Sequence, residues 1–204
     1  MRLTLIGMSG AGKSHWSRNL EKAGFRRLCC DDLIAVRLAP QLPPGRDRLH
    51  AMGTWLGLPD NPRYLEREAA YLNAEVDVLR RVLREGLLGD ADPVLDTSGS
   101  VIYAPPELLT ELRQATVVVH LATSPELRAQ LLKAYVAKPR PVIWHGHYQP
   151  RPDEPRQDTV ARCFHELMEA REAAYRQLAH LVVPPDHRAQ RDFDLVDFIL
   201  QNYR

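Results

Sequence analysis

The stretch from Gly7 to Ser14 constrains the fold more than any other part of the chain. It reads Gly-Met-Ser-Gly-Ala-Gly-Lys-Ser, a complete G-x-x-x-x-G-K-S phosphate loop, known as Walker A. An apolar run, residues 3–6, precedes it, and a segment of helical character, residues 14–22, follows it. Glycines in such a loop let successive backbone N–H groups turn inward and form an anion site at a helix N-terminus. The sequence therefore predicts a strand–loop–helix unit that binds nucleotide phosphates.

The residue types in this loop predict the ligands of a nucleotide and a metal ion. Lys13 is placed to reach the β- and γ-phosphates, so it is predicted to be catalytic, and the Ser14 hydroxyl is predicted to bind Mg²⁺. The predicted nucleotide-binding set is Gly10, Ala11, Gly12, Lys13, Ser14 and His15. We therefore expect ATP and Mg²⁺ as cofactors. The adenine contacts are predicted in the region 184–188, before the last helix.

Patterns typical of strands alternate with helical patterns along the whole chain. This alternation predicts an α/β fold with a five-stranded parallel sheet flanked by helices. We expect a single domain, 1–204, with a helical segment at about 40–85 that binds the acceptor and a lid at about 136–156. The strands are predicted at residues 1–6, 25–30, 93–96, 116–122 and 180–183.

Composition and charge exclude several classes of function. The 27 basic residues are balanced by 26 acidic ones, which argues against a general nucleic-acid or membrane-surface binder. No apolar run approaches the roughly 20 residues of a membrane span. Three cysteines make no disulfide framework, and we expect no signal peptide before the first strand. We expect a cytoplasmic monomer.

Carboxylates stand at the predicted ends of two strands. Asp31 and Asp32 follow the second strand, where one of them is predicted to orient or deprotonate an acceptor hydroxyl. We favour Asp32, and Asp31 is the alternative because adjacent side chains on a strand point to opposite faces. Capping of the next helix is the structural alternative. Asp96 ends the third strand in a Walker B-like arrangement and is predicted to bind Mg²⁺ with Ser14. Beyond it, Ser98 and Gly99 are predicted to contact the acceptor.

Arginines outside the phosphate loop predict binding of further anionic groups. Arg171 lies on the apolar stripe of a helix predicted at 158–178, and an inward arginine must be paired or bind an anion. A structural ion pair is the alternative. Arg140 lies in the predicted lid, where a mobile arginine stabilises a transferred phosphoryl group. Arg63 and Arg67 open a helix predicted at 63–85, and one of them is a candidate substrate ligand. Surface pairing with Glu66 or Glu68 is the alternative.

These motifs resemble those of the shikimate kinases, small-molecule kinases with the P-loop NTPase fold. The phosphate loop is similar, and Asp32 resembles the aspartate that in that family contacts the acceptor hydroxyl and acts as the base. Arg140-Pro141 resembles the lid Arg-Pro that reaches the transferred phosphate. Arg171 and Tyr175 match the Arg-x-x-x-Tyr spacing of a carboxylate-binding arginine, and Arg63, or Arg67, resembles the second such arginine. The resemblance implies a fold of the nucleoside-monophosphate and shikimate kinase type.

The chain departs from that family near the acceptor. Three consecutive glycines follow the third strand in the family, whereas this chain has the stretch 96–100, Asp-Thr-Ser-Gly-Ser. Cys30 replaces the first aspartate of the family's Asp-x-Asp, so the metal-side carboxylate is predicted to have moved to Asp96.

The leading interpretation is an ATP-dependent kinase acting on a hydroxyl of a small, anionic metabolite, such as shikimate or a similar carboxylate-bearing polyol. The alternative is a nucleotide-binding regulator, or degenerate kinase, that binds ATP without transferring phosphate.

Overall fold

A parallel sheet of five strands forms the centre of the molecule. The computed structural model describes residues 1–45, 47–89, 91–137 and 140–203, without the side chains of residues 136 and 137. The strands are β1 (Leu3–Ile6), β2 (Arg26–Cys29), β3 (Pro93–Asp96), β4 (Val117–Leu121) and β5 (Leu181–Val183), in the spatial order β2-β3-β1-β4-β5. Every pairing between neighbouring strands is parallel. The predicted α/β fold with a five-stranded parallel sheet is confirmed.

Helices cover both faces of this sheet, as parallel strands require. In chain order they are α1 (Lys13–Lys22), α2 (Cys30–Leu38), α3 (Arg48–Leu56), α4 (Tyr64–Arg81), α5 (Pro106–Ala115), α6 (Pro125–Ala137), α7 (Arg156–Leu178), α8 (Pro185–Arg188) and α9 (Leu195–Asn202). Short 3₁₀ turns lie at Ala39–Gln41 and Val101–Tyr103, and a π-helical turn at Val82–Gly86 ends α4. None of the helices in the described ranges has the length and apolar character needed to cross a membrane.

The three central strands are buried on both faces because their sequences are almost wholly apolar. All residues of β1, β3 and β4 are buried. The register aligns Leu5 with Asp96 and Asp96 with Cys29, so the carboxyl ends of β1, β2 and β3 meet at one edge. Ligands of open α/β sheets bind at this edge, and the loops that follow these strands carry the residues of interest.

Two helix predictions need correction. The sequence pattern predicts that the second helix begins at Leu33, whereas α2 begins at Cys30, three residues earlier. Asp31 and Asp32 therefore lie in its first turn and not at a strand end. The apolar spacing of the long helix predicts a stripe of Leu72, Val76, Leu79 and Leu83. Leu79 and Leu83 are buried as predicted, but Leu72 and Val76 are only partly buried. The buried face of α4 carries Tyr64, Glu68, Tyr71, Ala74, Glu75, Val78 and Leu79. Every second turn of this face carries a glutamate, Glu68 or Glu75, so the spacing of apolar residues alone does not reveal that the face is buried.

Part of the predicted lid is packed into the core. Two of its members, Lys138 and Pro139, lie outside the described residues. Trp144 is 1% exposed and packs in an aromatic cluster with Tyr135, Tyr148 and Phe164. Its backbone N–H donates to the Tyr64 hydroxyl at 2.9 Å. The segment after Arg140 is therefore anchored to α4, and Arg140 itself is exposed.

Tyr64→Phe tests this anchor. The Tyr64 hydroxyl also lies 2.8 Å from Glu68 Oε1 and 2.9 Å from the carbonyl oxygen of Val142. Its removal leaves the buried N–H of Trp144 without an acceptor, which costs about 1–3 kcal/mol. We expect the free energy of unfolding, measured by urea denaturation, to fall by that amount. Tyr203→Phe, at an exposed position, is the control and should change it by less than about 0.5 kcal/mol; equal effects of the two variants would contradict the assigned role.

Candidate active site

The phosphate loop has the geometry of an anion site. Gly12 has φ 98° and directly precedes α1, a backbone conformation that favours glycine. A side chain on Gly7 would lie 2.8 Å from the carbonyl oxygen of Leu121, so the close approach of loop and β4 also needs glycine. Among described residues, the backbone amides of Gly12 and Lys13 have no hydrogen-bond acceptor. Free amides at the N-terminus of α1 fit the phosphates of a nucleotide.

Lys13 is held at the centre of this loop. Its side chain is 6% exposed, and Nζ donates to the carbonyl oxygens of Gly7 and Met8 at 2.8 and 3.0 Å. Burial lowers the pKa of Lys13, while the nearby carboxylates of Asp31 and Asp96 oppose that shift. The ammonium group is therefore fixed beside the loop amides, where the predicted role at the β- and γ-phosphates requires it.

The structure separates the two aspartates of α2. Asp31 is half-buried, interacts electrostatically with Lys13 and accepts a hydrogen bond from Tyr71. Burial raises the pKa of Asp31 to about 6, although Lys13 opposes the shift. Asp32 is exposed. The geometry thus favours Asp31 for the role that the sequence pattern gave to Asp32, because α2 begins before either residue and turns Asp31 toward α4.

Asp96 is engaged by protein groups. Its Oδ2 accepts from Arg27 Nη2 at 2.7 Å and from Ser17 Oγ at 3.0 Å, and the residue is 2% exposed. Sequence analysis missed Arg27, since an arginine in a short strand carries no motif. Only Oδ1 is left for a metal ion, so the predicted role of Asp96 as a Mg²⁺ ligand would be through that atom or a water.

Ser14 and the two aspartates of α2 line one cavity. The cavity has a volume of about 550 Å³, and Arg27 lines it together with Asp31 and Asp32. No group of three or more His, Cys, Asp and Glu side chains in the described ranges is arranged to hold a metal. Mg²⁺ needs no such cage, because it keeps several waters and takes one or two carboxylates beside substrate phosphates. The donors around Ser14 fit that pattern.

Arg171 lies where the periodicity of α7 predicted it. It is 3% exposed, and its guanidinium group stacks 5.3 Å from the ring centre of Tyr103. Nε donates to the Tyr103 hydroxyl at 3.2 Å, and Nη2 donates to the carbonyl oxygen of Ile143 at 2.5 Å. Protein groups therefore already accept hydrogen bonds from Nε and Nη2 of Arg171. The Tyr175 hydroxyl, one helical turn later, donates to the carbonyl oxygen of Gly99.

A cavity of about 330 Å³ connects the phosphate loop with Arg171. Its walls include Ser9 and Gly10 of the loop, together with Arg140. The rest of the lining is mainly apolar and comes from α6, α7 and the segment after Arg140: Leu131, Ala134, Tyr135, Val142, Phe164 and Met168. The structure thus brings Arg140, Arg171 and the loop to one cavity.

Three of the predicted ligands lie away from this centre or at its rim. Arg63 is exposed and forms a surface ion pair with Glu66 at 3.0 Å, so it does not reach the acceptor edge. Arg67 is the more buried of the two arginines, and its guanidinium lies against Gly57.

His15 is exposed and pairs with Asn19 on the outer face of α1. Arg188, in the guessed adenine region, donates to the carbonyl oxygen of Ala11 in the phosphate loop at 2.5 Å.

A buried polar network behind Asp31 was missed by sequence analysis. Glu75 is 3% exposed, and its Oε1 accepts from Ser98 Oγ. Ser98 Oγ lies 3.3 Å from Ser100 Oγ, and Tyr71 hydrogen-bonds to both Ser100 and Asp31. Burial raises the pKa of Glu75 to about 8. Perturbed carboxyl groups cluster at functional sites, and the helical spacing of Tyr64, Glu68, Tyr71 and Glu75 is the signal that would have found them.

His120 differs from its predicted state. Its place within an apolar strand predicts a core histidine with a satisfied ring and not a ligand, but neither ring nitrogen has a hydrogen-bond partner among described residues. Burial lowers its pKa to about 3. The ring is therefore neutral behind the phosphate loop, and its 3.6 Å approach to Glu172 is not an ion pair.

Known proteins resemble the chain in both sequence and fold. A shikimate kinase of Paracidovorax citrulli is 27% identical over 187 residues, which are 91% of this chain and 83% of that protein. Sequence and fold together are shikimate kinase-like. The predicted resemblance to these P-loop kinases is thereby confirmed, although no family model matches the chain.

Two solved structures share the fold. A shikimate kinase from Acinetobacter baumannii in complex with shikimate has a TM-score of 0.64 and 24% identity, and covers 98% of this chain with 90% of its own. The shikimate kinase from Aquifex aeolicus has a TM-score of 0.55 and 18% identity, with 98% and 94% coverage. At these identities the structural likeness shows the fold alone.

Glu75→Gln tests the buried carboxyl through the pH dependence of stability. The pKa of Glu75 is about 8 in the folded protein and near 4.5 when unfolded, so the folded state binds the extra proton between these values. Stability contributed by this group is therefore lost as pH rises from about 5 to 8. We expect wild type to lose about 2 kcal/mol more than the variant over that range, or roughly 4–8 °C in melting temperature.

Thermal unfolding at pH 5, 7 and 9 measures this difference. Glu85→Gln is the control, since that glutamate is exposed and pairs with Arg81 at the surface. The control should follow wild type at each pH. Identical pH profiles for Glu75→Gln and wild type would contradict the assignment.

Proposed function

We propose that this protein is an ATP-dependent kinase that phosphorylates a hydroxyl group of a small metabolite. The observation that carries the proposal is the position of Asp31 beside Lys13, which joins a candidate base to a phosphate loop. The likeness to shikimate kinases supports a small-molecule kinase.

The chain's own residues fit ATP and Mg²⁺. Loop amides and Lys13 would hold the phosphates, and Ser14 with a neighbouring carboxylate would hold the metal ion. When bound, ATP supplies the phosphoryl group and Mg²⁺ neutralises charge on its oxygens. Phosphoryl transfer asks a protein mainly for positioning and electrostatic stabilisation, and a fixed cation with free amides provides both.

Each residue then has a defined task in the transfer. Asp31 orients the acceptor hydroxyl and takes its proton as the hydroxyl oxygen bonds to the γ-phosphorus. Lys13 stabilises the oxygens of the leaving diphosphate as the bond from the γ-phosphorus to the bridging oxygen breaks. Arg140, exposed at the rim of the cavity, is placed to close over the transferred group, which is the proposed role of the segment 136–156.

The acceptor would lie between α4 and the loop after β3. The segment 40–85 would supply Tyr71 and Glu75 to this side of the site, and Ser98 and Gly99 would contribute from the loop after β3. Shikimate is the acceptor that the relatives indicate, and its carboxylate would then be bound by Arg171. Arg63, which is ion-paired at the surface, is dropped from the proposed ligands.

A coupled assay of ADP release over a panel of hydroxylated acceptors tests the proposal. The expected result is acceptor-dependent ADP formation that requires Mg²⁺ and disappears in Lys13→Ala. ATP binding without ADP formation from any acceptor would instead identify a nucleotide-binding regulator. The observation that favours this second candidate, a regulator without kinase activity, is that Ser98 and Ser100 stand where the shikimate kinases have consecutive glycines.

Two adjacent variants distinguish the candidate bases. We expect Asp31→Asn to lower kcat by about 10²–10⁴, the usual contribution of a general base. Asp32→Asn, the matched control, should lower it less than about threefold, because Asp32 is exposed. Since the base must be ionised and the pKa of Asp31 is about 6, kcat/KM should rise with pH through about 6. A larger loss of kcat in Asp32→Asn than in Asp31→Asn would instead assign the role of general base to Asp32.

A further inference from the structure

The cavity of about 330 Å³ beside the phosphate loop has a lining of two kinds, polar and apolar. Ser9 and Gly10 of the loop, with Arg140 and Arg171, are its polar and backbone members. Helix α6 lies directly against the loop here, because a side chain on Gly10 would be only 2.5 Å from Cδ2 of Leu131. Cavities of about 300–1,000 Å³ are typical of small-molecule sites. This cavity therefore adjoins the proposed kinase site and is large enough for part of a substrate.

The arginines of the lining can bind an anionic group. A guanidinium group carries five N–H donors. The hydrogen bonds of Arg171 to Tyr103, Ile143 and Tyr175 use three of them at most, so donors remain for a ligand. Arg140 is exposed and adds a second positive charge to the lining. Free guanidinium donors beside a second cation suit a carboxylate.

The larger part of the lining is apolar. Leu131 and Tyr135 contribute from α6, and Phe164 and Met168 contribute from α7. Phe164 and Met168 are each 4% exposed, so core packing fixes this wall. The Tyr135 hydroxyl is already engaged, because it accepts a hydrogen bond from Nε1 of Trp144 at 3.1 Å. A ligand group in the cavity therefore faces mainly carbon atoms.

Such a wall discriminates against a ligand that carries hydroxyl groups all round. A ligand hydroxyl that faces carbon atoms loses its hydrogen bonds to water and gains none in return. An aromatic or aliphatic group in the same place gains affinity, because its apolar surface is removed from water. The triol ring of shikimate is therefore a poor match for this cavity, whereas a ring or chain without those hydroxyls fits its chemistry.

We propose that the acceptor is a hydroxy acid with an apolar body. Arg171 binds its carboxylate, and an aromatic ring or a bulky aliphatic group occupies the cavity between α6 and α7. This inference rests on the proposed kinase function, and the transfer step is the same, with the hydroxyl of the acid as the nucleophile. It keeps the carboxylate expected from the sequence, replaces the polyol, and assigns Phe164 and Met168 as specificity-determining residues.

Binding of matched acids tests the ligand class independently of turnover. Shikimate is compared with a cyclohexane carboxylate that bears a single hydroxyl group, and glycerate is compared with phenyllactate. Titration calorimetry uses the full chain with Mg²⁺ and a non-hydrolysable ATP analogue. We expect the apolar acid of at least one pair to bind about tenfold or more tightly than its polyol partner, and its neutral amide to bind about tenfold more weakly than the acid.

A substitution that fills the cavity links this preference to its lining. Ala134 lines the cavity but is exposed, so Ala134→Phe adds a ring there without disturbing the core. We expect this variant to bind the apolar acid about tenfold more weakly, with binding of the ATP analogue unchanged. Ala129→Phe is the matched control, since Ala129 is an exposed residue of α6 outside the cavity lining. It should keep the affinity of wild type, and thermal unfolding checks that both variants fold.

Four results would overturn the inference. They are tighter or equal binding of the polyol acid in both pairs, equal binding of an apolar acid and its amide, unchanged affinity in Ala134→Phe, and loss of binding when the ATP analogue is added. The last result would mean that the acid occupies the nucleotide site.

Turnover with the same acids separates this inference from the proposed function. ADP formation with an apolar hydroxy acid supports both. Apolar acids that bind as expected, while no acceptor yields ADP, refute the kinase and support the assigned ligand class. ADP formation with polyol acids alone supports the kinase and overturns the inference.

Discussion

Four ionisable side chains share the buried space at the carboxyl edge of the sheet, and each depends on the others. Lys13 and Arg171 bring cations that are 6% and 3% exposed, and Asp31 and Glu75 bring carboxyl groups. An isolated buried charge is costly. Lys13 is therefore held by loop carbonyls, Arg171 by a hydroxyl and a carbonyl, and Glu75 by a serine. This mutual compensation determines what α2, α4 and α7 must present to the site.

The parallel sheet makes this arrangement possible, because it brings the ends of β1, β2 and β3 together. The same register places Arg27 of β2 beside Asp96 of β3, and the two pair at 2.7 Å. That pairing compensates the charge of the Asp96 carboxylate. In the proposed transfer, Asp31 is the carboxyl group that takes the proton, and its pKa of about 6 leaves it mostly ionised at neutral pH.

The sequence was informative where a residue's role follows from a local pattern. The phosphate loop follows from its spacing, the strands from apolar runs, and the burial of Arg171 from the period of α7. The choice between Asp31 and Asp32 was not accessible, because each residue turns a helix by about 100° and α2 begins three residues before its predicted start. Glu75 was hidden for another reason: it is a polar residue on a buried face, and the search for that face used apolar spacing.

The residues that depart from the sequence pattern are those on the acceptor side. Folds with one phosphate loop serve many acceptors, because the residues that read the acceptor are carried by loops and helix faces around a constant centre. Here the phosphate loop holds a buried Lys13, whereas Ser98 and Ser100 stand where the shikimate kinases have glycines, and Ser98 donates to Glu75 of α4. Arg171 already donates to Tyr103 and to the carbonyl oxygen of Ile143, so a ligand on this side of the site would meet an arginine that the fold has oriented in advance.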